Sequence, residues 1–169
     1  MDSGLLLVGA LGLFAFMRKA SEAFTEFEYE APAGSAPYLG DIIAAENANG
    51  IPRGLLANLL YQESHFREDI IRGETVSPSG ALGIAQFMPD TARQWLGSVD
   101  AALQPQKAIA GAGKYLAYLA QRFGSWRTAV IAYNWGEGNV SRKYTGDDWA
   151  QLPLETILYV AQVYDWDFA

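Results

Sequence analysis

The chain has 169 residues, of which half are hydrophobic and 18% charged; that composition repays the cost of chain ordering, excludes wholesale disorder, and suits one domain with appendages. The net charge of −7 divides into −3 over residues 1–37 and −4 over the rest, so neither part carries the basic footprint of a nucleic-acid binder. With no cysteine and a single histidine, the chain has no disulfide or thiolate site and too little imidazole for a histidine-built metal centre, and no cofactor is expected.

Residues 4–17, GLLLVGALGLFAFM, form an uncharged apolar run preceded by Asp2 and followed at once by Arg18 and Lys19. At about 1.5 Å per helical residue such a run spans roughly 21 Å, short of the roughly 30 Å of bilayer hydrocarbon. The region 1–19 is therefore read as an apolar N-terminal helix that anchors the chain to a membrane or to another protein. A secretory signal places its positive charge before the apolar stretch, the reverse of what stands here. In a membrane, Arg18 and Lys19 would keep the chain after them on the cytoplasmic side. Residues 20–38, with four glutamates, Pro32 and Pro37, read as an acidic linker.

From Leu39 to the end at Ala169 the pattern turns helical, and the expected fold class is mostly α, a compact helical domain with a small irregular loop or hairpin. Leu39–Asn47 is a short amphipathic helix broken by Asn49-Gly50. Pro52 suits a first helical turn, and Leu55, Leu56, Leu59 and Leu60 make an apolar stripe that carries Glu63 to the helix end. Residues 67–88, with Gly73, Pro78, Gly80 and Gly83, read as the irregular region. Helices are expected over Pro89–Leu96, closed by Gly97, over Pro105–Phe123, where small residues permit close packing, and over Trp126–Asn134, capped by Ser125. A last helix is expected from Leu154 to about Tyr164. No tandem repeat and no pattern for a large sheet is present.

A glutamate delivered to the negative end of an apolar helix resists ionisation, and burial beside Tyr61 and Phe66 acts in the same direction, so its pKa is expected to rise towards about 6. Such a group donates a proton at neutral pH. Taken alone, a glutamate at a helix end is far more often a solvated surface residue, and it is the surrounding strings that change this reading. They are Glu63-Ser64-His65-Phe66, the stretch from Ser77 to Ala92 (SPSGALGIAQFMPDTA), Ala132 to Val140 (AYNWGEGNV) and Leu152 to Val160 (LPLETILYV). In that order they resemble the motifs of the soluble lytic transglycosylases, glycoside hydrolase family 23, whose fold is goose-lysozyme-like (α+β).

The resemblance implies that residues 39–169 are a lytic transglycosylase domain with Glu63 as sole catalytic acid/base. It implies that Ser64, Gln86, Met88, Tyr133 and Asn134 line the glycan groove, and that Tyr159 hydrogen-bonds or orients the glutamate. The sequence departs from the commonest pattern at Ile84-Ala85 and at Trp135, a bulky residue where a small one is usual and a candidate stacking face for a sugar. Each site residue also has a structural reading: Met88 as core filler, Gln86 as loop support, the two tyrosines as buried aromatics whose hydroxyls need partners.

An ordinary glycosidase needs a second carboxylate facing the first; Asp69, Glu74 and Asp90 lie near in sequence but read more simply as loop or capping residues. A transglycosylase manages with one, because the MurNAc 6-hydroxyl of the substrate is the nucleophile. The expected activity is cleavage between MurNAc and GlcNAc with a 1,6-anhydro-MurNAc end; the alternatives are a muramidase that uses water and a silent glycan-binding virion protein. The expected partners are peptidoglycan strands, with other virion proteins or a membrane contacted through residues 1–37, and no nucleic acid. The expected location is a bacteriophage particle that acts on the wall during genome delivery, the alternative being a membrane-anchored or periplasmic bacterial enzyme.

Overall fold

A computed structural model describes residues 30–146 and 148–164. The apolar run and the first part of the linker expected over residues 1–29 lie outside the described residues. The chain divides into two units at Glu30/Ala31, and the second, residues 31–169, contains every described helix.

The described helices are α1 (Leu39–Asn49), α2 (Leu55–Ser64), α3 (Glu68–Ile71), α4 (Pro89–Leu96), α5 (Pro105–Phe123), α6 (Trp126–Trp135), α7 (Glu137–Lys143) and α8 (Leu154–Val163), with 3-10 turns at Asp100–Leu103 and Trp149–Gln151. Among the described residues there is no strand, and one antiparallel bridge, Leu82 with Phe87, closes the expected small hairpin. None of these helices is long and apolar enough to cross a membrane. The fold is thus mostly helical, as its sequence pattern implies.

The longest helix, α5, organises the rest. Pro105 opens it where a missing N–H costs nothing, and Gly124 at φ 78° closes it. Its buried Ile109, Leu116 and Leu119 face the centre, and it packs against α1, α4 and α6. Close approach rests on small residues: a Cβ added at Gly111 would lie 2.0 Å from Leu96 Cδ2, and one at Gly113 would lie 3.2 Å from Ala45 Cβ. Helix α6 starts on Ser125, whose hydroxyl accepts from the Thr128 N–H, and it is covered by α7 and α8.

Helix α2 carries the leucine stripe. Leu56, Leu59 and Leu60 are completely buried, each contributing about 1.5 to 3 kcal/mol of transfer free energy. It starts at Leu55, later than Pro52, behind Gly54 at φ 85°, which has no side chain to cap it. The cap comes instead from α1: Glu46 is 3% exposed and its Oε1 accepts from Leu56 N at 3.1 Å. Burial raises its pKa, and backbone N–H groups of Gly54, Leu56 and Ala57 oppose the rise. Helix α2 also lies along α8, which brings Glu63 to Tyr159.

Two expectations need correction. Residues 31–38 are not linker: they belong to the compact unit, Ser35 is 1% exposed, and the Tyr38 ring stacks on Phe66 at 5.9 Å. The aromatic and small residues there find an apolar surface to cover, which proline content alone does not reveal. Helix α7 was not expected, because its sequence EGNVSRK buries only Val140 and so lacks an apolar stripe; Gly136 starts it and the Asn139 amide donates to Trp135 O at 2.7 Å.

Candidate functional site

Glu63 lies in the last turn of α2, where the orphan carbonyls of the helix end disfavour negative charge. Burial raises its pKa from the ordinary 4.5 to about 7, and a hydrogen bond from Tyr159 acts in the opposite direction. The Tyr159 hydroxyl donates to Glu63 Oε1. Burial first, and then the charge of Glu63, hold the Tyr159 phenol well above its usual range, and the same two causes act on Tyr133. Both tyrosines therefore stay protonated near neutrality. Among the described residues no second carboxylate influences Glu63.

The turn after Glu63 is strained. His65 and Phe66 both have left-handed backbone, at φ 49° and 52°, a conformation that costs non-glycine residues of order 1 kcal/mol or more each. Gln86 at φ 45° is the third such residue among those described, and it too belongs to the expected site. Strain of this kind persists where surrounding structure over-determines it.

The loop before α4 brings Gln86 in. Gly83 has φ +72° and lies so close to the 100–103 turn that an added Cβ would stand 1.9 Å from Ala102 O. The Gln86 amide donates to Gly83 O at 2.9 Å, which leaves its Oε1 as an acceptor. The Tyr133 hydroxyl donates to Ala85 O at 2.9 Å and so ties this loop to α6. Asn134 accepts at Oδ1 from the Thr156 hydroxyl at 2.9 Å, leaving its N–H groups as donors. Thr156 and Tyr159 stand three apart on α8, so one face of that helix orients both Asn134 and Glu63. Thr156 was missed by the sequence reading; the signal was its i, i+3 spacing from Tyr159.

Of the other residues expected in the groove, Met88 is 43% exposed at the start of α4, open to a ligand and not core filler. Ser64 is a correction. It is 0% exposed, donates to Leu60 O and accepts from Phe66 N, so its hydroxyl supports the strained turn and does not line a groove. Trp135 carries Lys143 Nζ at 5.8 Å from its ring centroid. His65 is exposed, with its ring tilted on Tyr61 at 4.7 Å. Asp69 is engaged by Arg67 and Thr75, and Asp90 by Arg93. Among the described residues no group of three or more His, Asp or Glu side chains stands ready to hold a metal ion.

The arrangement holds a half-buried carboxyl partnered by a tyrosine, and the neighbouring elements carry an amide acceptor at Gln86, an amide donor at Asn134 and an exposed thioether at Met88. The crystal structure of an inactive mutant of the lytic transglycosylase Slt from Pseudomonas aeruginosa, with a glutamate replaced by glutamine, is 25% identical with a TM-score of 0.62. The likeness covers 94% of this chain and 27% of that one, so the chain spans about a quarter of that protein's length. The sequence profile of the transglycosylase SLT domain matches residues 41–152, and the chain belongs to that family.

Proposed function

We propose that this protein is a peptidoglycan lytic transglycosylase in which Glu63 is the single acid/base. The observation that carries the reading is the Glu63 carboxyl, with its pKa raised to about 7, its hydrogen bond from Tyr159 and no second carboxylate acting on it among the described residues, on a fold and family shared with a lytic transglycosylase. With its pKa raised to about 7 the carboxyl can start the reaction protonated near neutral pH, and it becomes the base by giving that proton up. In the first step protonated Glu63 gives its proton to the oxygen between MurNAc and GlcNAc, that bond breaks, and the 2-acetamido group steadies the cation. In the second, ionised Glu63 takes the proton from the MurNAc 6-hydroxyl as its oxygen bonds C1. The acid is restored, a 1,6-anhydro-MurNAc end forms, and no water is consumed. In this reading Gln86 Oε1, the Asn134 amide and Met88 meet the acetamido and hydroxyl groups of the strand; what supports it is the acceptor left on Gln86, the donors left on Asn134 and the exposure of Met88.

The test is mass spectrometry of the fragments released from purified peptidoglycan. Anhydro ends are expected from the wild type, and Glu63→Gln is expected to lower the rate by 10²- to 10⁴-fold or more, about 3 to 5 kcal/mol. Reducing ends would make the protein a water-using muramidase. Near wild-type turnover by Glu63→Gln would remove Glu63 from the chemistry, and a wild type without turnover would leave a glycan-binding protein.

The setting we propose is a bacteriophage particle that opens the wall locally during genome delivery, with residues 1–30, the part of the expected 1–37 segment outside the compact unit, contacting other virion proteins or a membrane. What favours it is the order of charge round the apolar run, Asp2 before and Arg18-Lys19 after, which would keep the following chain cytoplasmic if the run inserted in the cell's own membrane. A reporter active only in the periplasm, fused after Lys19, should stay silent in cells making the protein; an active reporter would instead support a bacterial wall enzyme.

A further inference from the structure

We propose that residues 31–38, which precede the family-matched segment 41–152, are a positioning strap for Glu63, holding through Gly34 and Tyr38 the left-handed turn that comes after it. The inference rests on Glu63 as the proton-transferring group. The turn is the obvious weak point of the site. Two successive non-glycine residues at φ 49° and 52° cost free energy that only surrounding contacts can offset, and without them the last turn of α2 would relax and carry Glu63 with it.

Inside the domain the turn is held by Ser64, whose hydroxyl accepts from Phe66 N at 3.3 Å while donating to Leu60 O at 3.1 Å. The strap supplies the outer grip. The Tyr38 ring stacks on Phe66 with an interplanar angle of 17°, and the Tyr61 ring also packs on Phe66, tilted, at 6.2 Å. The Tyr38 hydroxyl passes beyond the turn and donates to Glu68 Oε1 on α3 at 2.7 Å. Gly34 lies so close that an added Cβ would stand 3.1 Å from Phe66 Cβ, and its own φ of +82° disfavours a side chain in any case. Ser35, between these contacts, is buried. The strap thus contacts Phe66 within the turn and Glu68 just beyond it. A segment that only added apolar burial has no reason to converge on the strained residues behind the acid.

The groove side chains lie elsewhere, on the loop at 83–88 and on α6, so loosening the strap leaves the glycan contacts in place while Glu63 loses alignment and gains water. The rate at saturating substrate should fall with little change in half-saturation. Water reaching the carboxyl lowers its pKa, so the loss of activity on the alkaline side should move to lower pH. Tyr159 from α8 donates to Glu63 and Tyr133 from α6 feels its charge, and both phenols are held far above that range; on its own segment, exposed His65 has its ring on Tyr61.

The experiment compares full-length wild type, Tyr38→Leu and Tyr38→Phe in release of anhydro-muropeptides from purified peptidoglycan across pH. Tyr38→Leu is expected to lower the saturating rate about tenfold, to change half-saturation less than about twofold, and to move the alkaline limb to lower pH. Tyr38→Phe, which keeps the stacked ring and loses only the bond to Glu68, should restore most of the rate. A wild-type saturating rate and pH limb in Tyr38→Leu, even with a lowered Tm, would reduce the strap to a structural element and overturn the proposal. Should Tyr38→Leu fail to fold, Gly34→Ala, one methyl pressed on Phe66, carries the same test with the same two outcomes. Failure of the functional reading looks different: the wild type would release no anhydro product, or Glu63→Gln would keep its turnover.

Discussion

At the scale of single residues, Glu63 and Tyr159 are in opposition: burial raises the glutamate's pKa and the tyrosine's hydrogen bond lowers it. Tyr159→Phe removes the lowering partner and keeps the ring, so the alkaline limb of the rate profile should move to higher pH, opposite to the strap variants. The ionised form needed in the second step loses its donor, and the rate should fall 10- to 100-fold, about 1.4 to 2.7 kcal/mol. An unchanged rate and limb would show that the contact does not serve the reaction. The same burial has a cost in stability. A carboxyl whose folded pKa of about 7 exceeds the ordinary 4.5 destabilises nothing below the lower value and progressively more as pH rises through the higher one. At about 1.36 kcal/mol per pH unit the ceiling is about 3 kcal/mol. Glu63→Gln should therefore unfold at a higher temperature than wild type at pH 8, with the gap closing towards pH 4.5; a gap constant across that range would mean that the carboxyl ionises as freely folded as unfolded. The strings around Glu63 that resemble the family were legible because they run along the chain itself, and the transglycosylase SLT profile matches residues 41–152. The role of Ser64 was not, since a hydroxyl serves a backbone turn as readily as a sugar and only burial separates the two.

At the scale of elements, the helices whose ends carry stereochemical punctuation were readable to the residue. Pro89 with Gly97 bounds α4, and Pro105 with Gly124 bounds α5, because proline and glycine restrict the backbone whatever the surroundings. Elements stabilised by distant partners were not. The start of α2 depends on a buried carboxylate ten residues earlier, Glu46, meeting Leu56 N, and sequence spacing gives no hint of that pairing. The loop that holds Gln86 is a mixed case. Its glycines announced irregular backbone, while the contact that requires one of them, Ala102 O at 1.9 Å from a Cβ at Gly83, joins segments that no local pattern links. Since a backbone carbonyl cannot swing aside as a side chain end can, Gly83→Ala should destabilise the domain by about 3 kcal/mol or more. It should also shift Ala85 O, the acceptor of the Tyr133 hydroxyl, and so depress activity even where the protein stays folded. Thermal melts alongside rates below the melting range check both parts; a variant with wild-type Tm would show that the loop has room that its geometry denies.

At the scale of the whole molecule, the boundary between appendage and domain decides which truncation is harmless. Hydrophobic periodicity places that boundary at Leu39, because periodicity registers only regular elements. Packing places it at Ala31, because an irregular segment buries side chains as effectively as a helix does, as Ser35 and the Tyr38 ring on Phe66 show. Removing residues 1–30 leaves every described contact of the catalytic unit intact, and the truncated protein is expected to keep the Tm of that unit within about 2 °C and to cleave soluble glycan fragments at the wild-type rate. Removing residues 1–37 takes Gly34 and Ser35 away and leaves Tyr38 at a free chain end. That cut should cost about 1 to 3 kcal/mol, lowering Tm by roughly 4 to 10 °C for a unit of this size. Comparing the two truncations by calorimetry and by rate on the same substrate isolates the strap from everything N-terminal to it. Equal melting temperatures for the two would return the boundary to Leu39, and a fall in Tm already with the shorter cut would show that residues before Ala31 stabilise the catalytic unit.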